Sequence, residues 1–261
     1  MRLFATNSQV VYLAVLQALD LKKVRIPAFV PTFFASCAKL LGCEVELVES
    51  KLDMSAEADV VHNFFETHTP KARVVFQGLG ESVGEAEVFV KKFGECLMIE
   101  CDDAIGQKIE LFLHGGVKRG RLWNYDLVSV GIKDRGKLCE MDAELLAHQN
   151  EVVDHFEASF AKNLYFDTLA VGRKTLKSGY PILLKPSLYC PKEDIYQELR
   201  ERGVDVQVRF KPLYKTTLCM GNSLPVTEEL YKAIMILPLQ KEIVEPLFAV
   251  LEKYRHRGCM F

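Results

Sequence analysis

The sequence predicts an α/β protein: a mainly parallel sheet flanked by helices, followed by a smaller α/β domain. Through the first hundred residues, short β-rich runs alternate with helical and turn-rich stretches, as in parallel sheets wrapped by helices. Beyond about residue 163 a second pattern of strands and helices begins, which divides the chain into a large domain at 1–162 and a small one at 163–261. With 261 residues, 49% hydrophobic and 26% charged, the chain can bury a core of that size.

Val10–Leu19 is apolar nearly all round and reads as a buried helix, preceded by the cap-forming residues Thr6, Asn7, Ser8 and Gln9. Val24–Ile26 reads as a strand ended by Pro27, Pro31–Leu41 as a helix stopped by Gly42, and Glu44–Val48 as a strand. Helices are expected at Met54–Thr69 and Glu85–Phe93, and strands at Arg73–Phe76 and Cys96–Glu100. Ile109–Gly120 reads as irregular, Asp126–Ile132 as a buried strand, Ala143–Ala147 as a further strand, and Gln149–Lys162 as a helix. In the second half, strands are expected at Tyr180–Lys185 and Gly203–Phe210. Helices are expected at Lys192–Arg202, Thr227–Ile236 and Glu242–Tyr254.

Net charge is −2 and the basic runs are short, so no charge excess exists to neutralise a nucleic-acid backbone. The start MRLFATNSQ has no signal-peptide run, and no apolar run is long enough to span a membrane. None of the eight cysteines forms a CxxC pair, which fits a reduced, cytoplasmic chain with no cysteine zinc site. His148 and His155 lie seven apart, so they lack the spacing of a helical metal pair. Gly78–Gly84 approaches a dinucleotide loop, but Val83 stands where the third glycine belongs; a strand-to-helix turn is the plainer reading. Phe29, Phe33 and Phe34 read as core residues.

Ligands bind such sheets at the carboxyl ends of the strands, here near Gln77, Glu100–Asp103 and Lys133. Lys133, where the Asp126–Ile132 strand runs into a polar turn, is either a desolvated nucleophile or a solvated turn residue. The acids of Glu100–Asp103 either serve a cation or pyridinium nitrogen or end the strand in solvent.

Residues 223–254, SLPVTEELYKAIMILPLQKEIVEPLFAVLEKY, resemble the end of the DegT/DnrJ/EryC1/StrS aminotransferases, the sugar aminotransferases of fold type I. Leu224-Pro225, Glu229-Leu230 and Ile236-Leu237-Pro238 carry that likeness. Residues 198–214 resemble the family's LxxxGIxxxxHYxPLH segment, with Arg209 where histidine is usual. At 24–49, Pro27, Phe29, Ala35 and Gly42 match in register.

The resemblance implies a pyridoxal 5'-phosphate (PLP) enzyme acting on a keto (nucleotide-)sugar, with an amino-acid donor and a homodimeric assembly. It implies Lys133 as the lysine that joins the cofactor covalently, with Lys137 as a poorer candidate. Asp102 falls to the pyridine nitrogen, and Asn7, Ser8, Gln9 and Ser129 to the phosphate.

The chain departs from the family at several of these places. The ring-stacking segment falls on Gln77–Gly80, which has no aromatic. Asp102 matches only after a one-residue shift, and the serine-to-lysine spacing before Lys133 is one short. An NYRM-like link has no counterpart between Gln149 and Tyr180. These departures leave two functions: an aminotransferase with reduced activity, or a non-catalytic relative that uses the fold for binding or assembly.

Overall fold

The computed structural model describes residues 1–5, 7–94, 96–113, 135–186, 188, 191–221 and 223–257; for Phe93, residues 135–142 and 256–257 it describes the backbone alone. In chain order the elements are β1 (Arg2–Ala5), α1 (Ser8–Ala18), β2 (Lys23–Pro27), α2 (Phe33–Leu40), β3 (Glu44–Val48), β4 (Val60–Asn63), β5 (Val74–Gly78), β6 (Val88–Phe93), β7 (Cys96–Cys101) and α3 (Asp103–Leu113). There follow α4 (Arg135–Phe160), β8 (Phe166–Thr168), β9 (Tyr180–Leu184), α5 (Lys192–Glu201), α6 (Pro225–Ala233), β10 (Ile234–Leu237) and α7 (Val244–Arg257).

The central sheet has the order β1-β7-β6-β5-β4. Strands β4, β5 and β6 are parallel, whereas β7 runs antiparallel to β6, and β1 antiparallel to β7. A parallel β2-β3 pair is tied to β4's leading edge, where Asp59 accepts from the Arg25 backbone N–H (2.8 Å) and donates its own to Arg25 O (3.0 Å). A second sheet, β10-β9-β8, is antiparallel throughout.

Two main cores result. In the first, α1 buries Val11, Tyr12, Val15 and Leu16, and Tyr12 packs edge-on against Phe34 (5.0 Å between ring centroids) and Phe76 (5.8 Å). In the second, Val152, Val153, Phe156 and Phe160 of α4 meet Tyr180 and Ile182 of β9 and Leu247, Val250 and Leu251 of α7. Each such side chain contributes about 1.5–3 kcal/mol on leaving water.

Several expectations need correction. The stretch 54–69 forms no helix; its centre is β4, whose Val60 and Val61 are both buried. A strand covered on two faces shows a continuous apolar run, which a helical pattern also fits. Glu85–Phe93 likewise contains the parallel strand β6. Ala143–Ala147 lies within α4, and Gly203–Phe210 contributes only an isolated bridge from Gln207 to Ile236. The expected helix at 227–236 ends at Ala233, where β10 begins. Ile109–Leu113 closes helix α3, and β1 was not expected at all. The Asp126–Ile132 strand lies outside the described residues. Gly42 does stop α2, with φ +74°.

Candidate functional site

A cavity of 590 Å³ opens beyond the carboxyl ends of β4, β5 and β6 and beside the start of α1. The strand register sets its composition. His62 stands opposite Phe76, and Gly78 opposite Lys92, so the last residues of three parallel strands meet at one edge. Phe33, Phe64 and Phe76 supply aromatic walls, and Ser8, Lys92 and Arg209 supply polar groups.

The segment Leu176–Ser178 closes one side of the cavity, and its position requires glycine at 78. A Cβ there would lie 1.7 Å from the Leu176 carbonyl oxygen. Glu66 holds the same segment from below. Its buried carboxylate accepts from the Lys174 N–H (3.0 and 3.1 Å), the Thr175 N–H (2.8 Å) and the Thr175 hydroxyl (2.8 Å). The Lys177 ammonium lies 3.7 Å from that carboxylate and donates to Thr175 O (2.6 Å) and Asn150 Oδ1 (3.2 Å). Burial holds the Lys177 pKa below that of an ordinary lysine, with Glu66 opposing. Its side chain is wholly buried, so this amine anchors the wall and is not presented to a ligand.

The cavity is cationic. Burial pushes the His62 imidazole down to about 3, with Arg209 the next cause and Lys92 a smaller one, so the ring is neutral near pH 7. Burial also lowers the Arg209 pKa, Asp205 opposing. Among the described residues, neither Arg209 nor Lys92 forms an ion pair, and no carboxylate lines the cavity.

The residues expected from the sequence separate into three groups. Ser8 lines the cavity, with Asn7 and Gln9 beside it at the α1 N-terminus. Asn7 Oδ1 accepts from the backbone N–H groups of Gln9 (2.9 Å) and Val10 (3.1 Å), so its carboxamide already uses the donors a phosphate would seek. Asp102 does not come to this edge. Because β7 runs antiparallel to β6, Cys101 pairs with Val88, and the following Asp102 caps α3 by accepting from the Ile105 N–H (2.7 Å). The carboxyl end of β7 therefore lies at the opposite sheet edge, which corrects the grouping of Glu100–Asp103 with Gln77. Ser129, Lys133 and the Lys137 side chain lie outside the described residues.

Gln77 serves the fold: its amide accepts from the Val83 N–H (3.1 Å) and donates to Glu81 O (2.5 Å), pinning the loop from β5 to β6. Sequence reasoning placed Phe33 in the core and missed Phe64, Phe76 and Lys92 as lining residues. Lys92 was hidden by the expected helix. In the strand, neighbouring side chains alternate, so Lys91 turns inward to Glu100 (2.5 Å) and Gly80 O (2.9 Å) while Lys92 borders the cavity. Among the described residues, no cluster of histidine, cysteine or acidic groups could hold a metal, and no helix is long and apolar enough to cross a membrane.

The described lining suits a flat ring bearing an anion: aromatic walls, a hydroxyl at a helix N-terminus and two cations. It supplies no acid for a pyridinium nitrogen.

No family model matches the chain. It is 28% identical over 186 residues, 62% of its length, to the UDP-4-amino-4,6-dideoxy-N-acetyl-β-L-altrosamine transaminase of one Campylobacter jejuni strain. Against that of a second strain it is 30% identical over 176 residues, 58% of its length. The chain spans about half the length of the curated relatives it matches, 49% and 46%.

Among solved structures, the Helicobacter pylori aminotransferase PseC, involved in the biosynthesis of pseudoaminic acid, superposes with a TM-score of 0.75. It is 17% identical, and the match covers 98% of this chain and 87% of that one. A DegT DnrJ EryC1 StrS aminotransferase from Brucella abortus gives a TM-score of 0.72 at 12% identity, covering 97% and 86%. Bacillus subtilis NtdA with bound PMP gives 0.69 at 15%, covering 96% and 73%. The fold is therefore that of these aminotransferases, and in sequence the chain is similar to sugar transaminases over about half of their length.

Proposed function

We propose that the chain is a PLP-dependent aminotransferase that moves an amino group from an amino-acid donor to a keto sugar carried on a nucleotide. The observation that carries this is the aromatic, cationic cavity at the carboxyl ends of β4–β6, with Ser8 at its rim. PLP, when bound, supplies the electron sink that lets an amino group pass between carbon skeletons. Ser8 and the α1 N-terminus would hold its phosphate once the Asn7 carboxamide turns away, with Ser129 as a further contact. Phe33, Phe64 and Phe76, which line the cavity, would keep water from its ring. Lys133 is the proposed covalent anchor and the base that carries the proton. The proposed setting is a cytoplasmic homodimer.

One observation favours a second reading. Asp102 lies at the opposite edge of the sheet, so it cannot keep the pyridine nitrogen protonated. On that ground the alternative is a non-catalytic relative that retains the fold for binding or assembly.

Absorption spectra of the purified chain with added PLP separate the two. The enzyme reading expects a yellow band that disappears in Lys133→Ala, and amino transfer from a donor such as glutamate. A protein that stays colourless with added PLP refutes it. A yellow protein without transfer supports the second reading.

A further inference from the structure

We propose that Arg209 and Lys92 form a substrate oxyanion site in this cavity, taking a carboxylate or phosphate group borne on a ligand whose body rests against Phe33, Phe64 and Phe76. The site itself rests on the cavity geometry; only its assignment to a substrate rests on the function proposed above.

Arg209 follows Gln207, which pairs with Ile236 of the second sheet, and precedes Phe210. The Phe210 ring sits 5.4 Å from His62 and 5.6 Å from Phe29. The segment bridged to the small sheet at Gln207 thus brings a half-buried guanidinium to the cavity at the end of β4. Lys92 approaches from the end of β6, on the register that sets it opposite Gly78. Two cations from different elements border one cavity, with no acid in its described lining and no ion pair to either among the described residues. Together they set up a positive potential in the cavity that an anion neutralises. The guanidinium fork matches the two oxygens of a carboxylate or phosphate, and an ammonium supports it as a point charge. The cofactor's phosphate is assigned to Ser8, so this is a second anion position.

His62 reports on the site, because Arg209 and Lys92 both act on its charge. The test uses the full chain without added PLP and follows the His62 ring signals by NMR, assigned from their loss in His62→Gln. Sodium glutamate, inorganic phosphate and UDP are titrated at constant ionic strength; exposed His148 and His155 serve as internal controls. The expected result is a saturable shift of His62 alone, with apparent affinity weakened about ten-fold or more in Arg209→Gln and partly restored in Arg209→Lys. Lys92→Gln, on an exposed residue, should weaken it several-fold. A response to glutamate alone assigns a carboxylate, and one to phosphate and UDP assigns a phosphate-bearing group. No saturable shift with any probe, or an unchanged affinity in both Arg209→Gln and Lys92→Gln, overturns the proposal. Anion binding without cofactor uptake would leave the site standing and sink the enzyme reading. Cofactor uptake without the His62 response would do the reverse.

Discussion

Glu66→Ala tests whether the cavity wall is held by a single carboxylate. Glu66 is 6% exposed and accepts from two backbone N–H groups and one hydroxyl, with Lys177 as its nearest cation. Removing it strands those donors and leaves a wholly buried ammonium without a counter-charge. Breaking a buried charged pair from one side costs about 3–5 kcal/mol, because the surviving partner keeps its desolvation penalty. Glu66 also sits at φ +52°, which alanine tolerates no better, so no strain relief offsets the loss. Against a total stability of about 5–15 kcal/mol, that is a large fraction.

Urea unfolding at pH 7, followed by far-UV circular dichroism, should show the midpoint falling with little change in slope. Gly172→Ala provides an internal check. Its Cβ would lie 2.1 Å from Glu66 Oε1, one of the two carboxylate oxygens that accept from the Lys174 N–H, so the carboxylate must shift to admit it. The two changes should therefore be strongly non-additive, Gly172→Ala costing less once Glu66 is alanine. A loss below about 1 kcal/mol in Glu66→Ala, with additive behaviour in the double variant, would refute the reasoning.

Gly78→Ala should destabilise by about 1–3 kcal/mol and weaken any ligand of the cavity, since its Cβ meets backbone at Leu176; unfolding and ligand titration check this. Asp102→Ala should cost about 1 kcal/mol as a lost α3 cap while leaving PLP uptake unchanged, read from melting and absorption spectra. For His62, the folded pKa of about 3 lies below the ordinary 6.5, so between them the unfolded chain holds a proton that the folded chain lacks. Stability then falls as pH drops through that window, by about 2 kcal/mol between pH 7 and pH 5. In urea titrations at the two pH values, His62→Gln should flatten the difference by about that amount.

Much of the first half was legible because its pattern is local. The apolar residues of α1, the Pro27 and Gly42 boundaries and the β3 run each fix their element within a few residues. Strands β4 and β6 were not legible, since Val60 and Val61, and Val88 and Val90, are buried in short apolar runs that suit a helix or a strand. Ser8 was found through helix-cap chemistry. Arg209 stood out only as a departure from the related sequences, and its place in the cavity depends on a bridge between Gln207 and Ile236 that no local pattern encodes. The same holds for Glu66 and Lys174–Lys177, which are brought together across more than a hundred residues.

Strand direction had the largest consequence for the site. Alternating strands and helices make parallel strands the natural expectation, and in a parallel sheet Glu100–Asp103 would face the same cavity as Gln77. The connection from β6 to β7 is only the short turn at Gly94, where φ is +54°, and a turn of that length can join only antiparallel neighbours. Cys101 thus comes level with Val88, four residues back along β6 from Lys92. At about 3.3 Å per residue, that separates Asp102 from the cavity edge by roughly 13 Å or more. No side-chain rotation spans that gap. If the chain transaminates, the group that keeps the pyridine nitrogen protonated must come from a residue other than Asp102; if no residue does so, the cationic, aromatic cavity remains a binding site rather than a catalytic one.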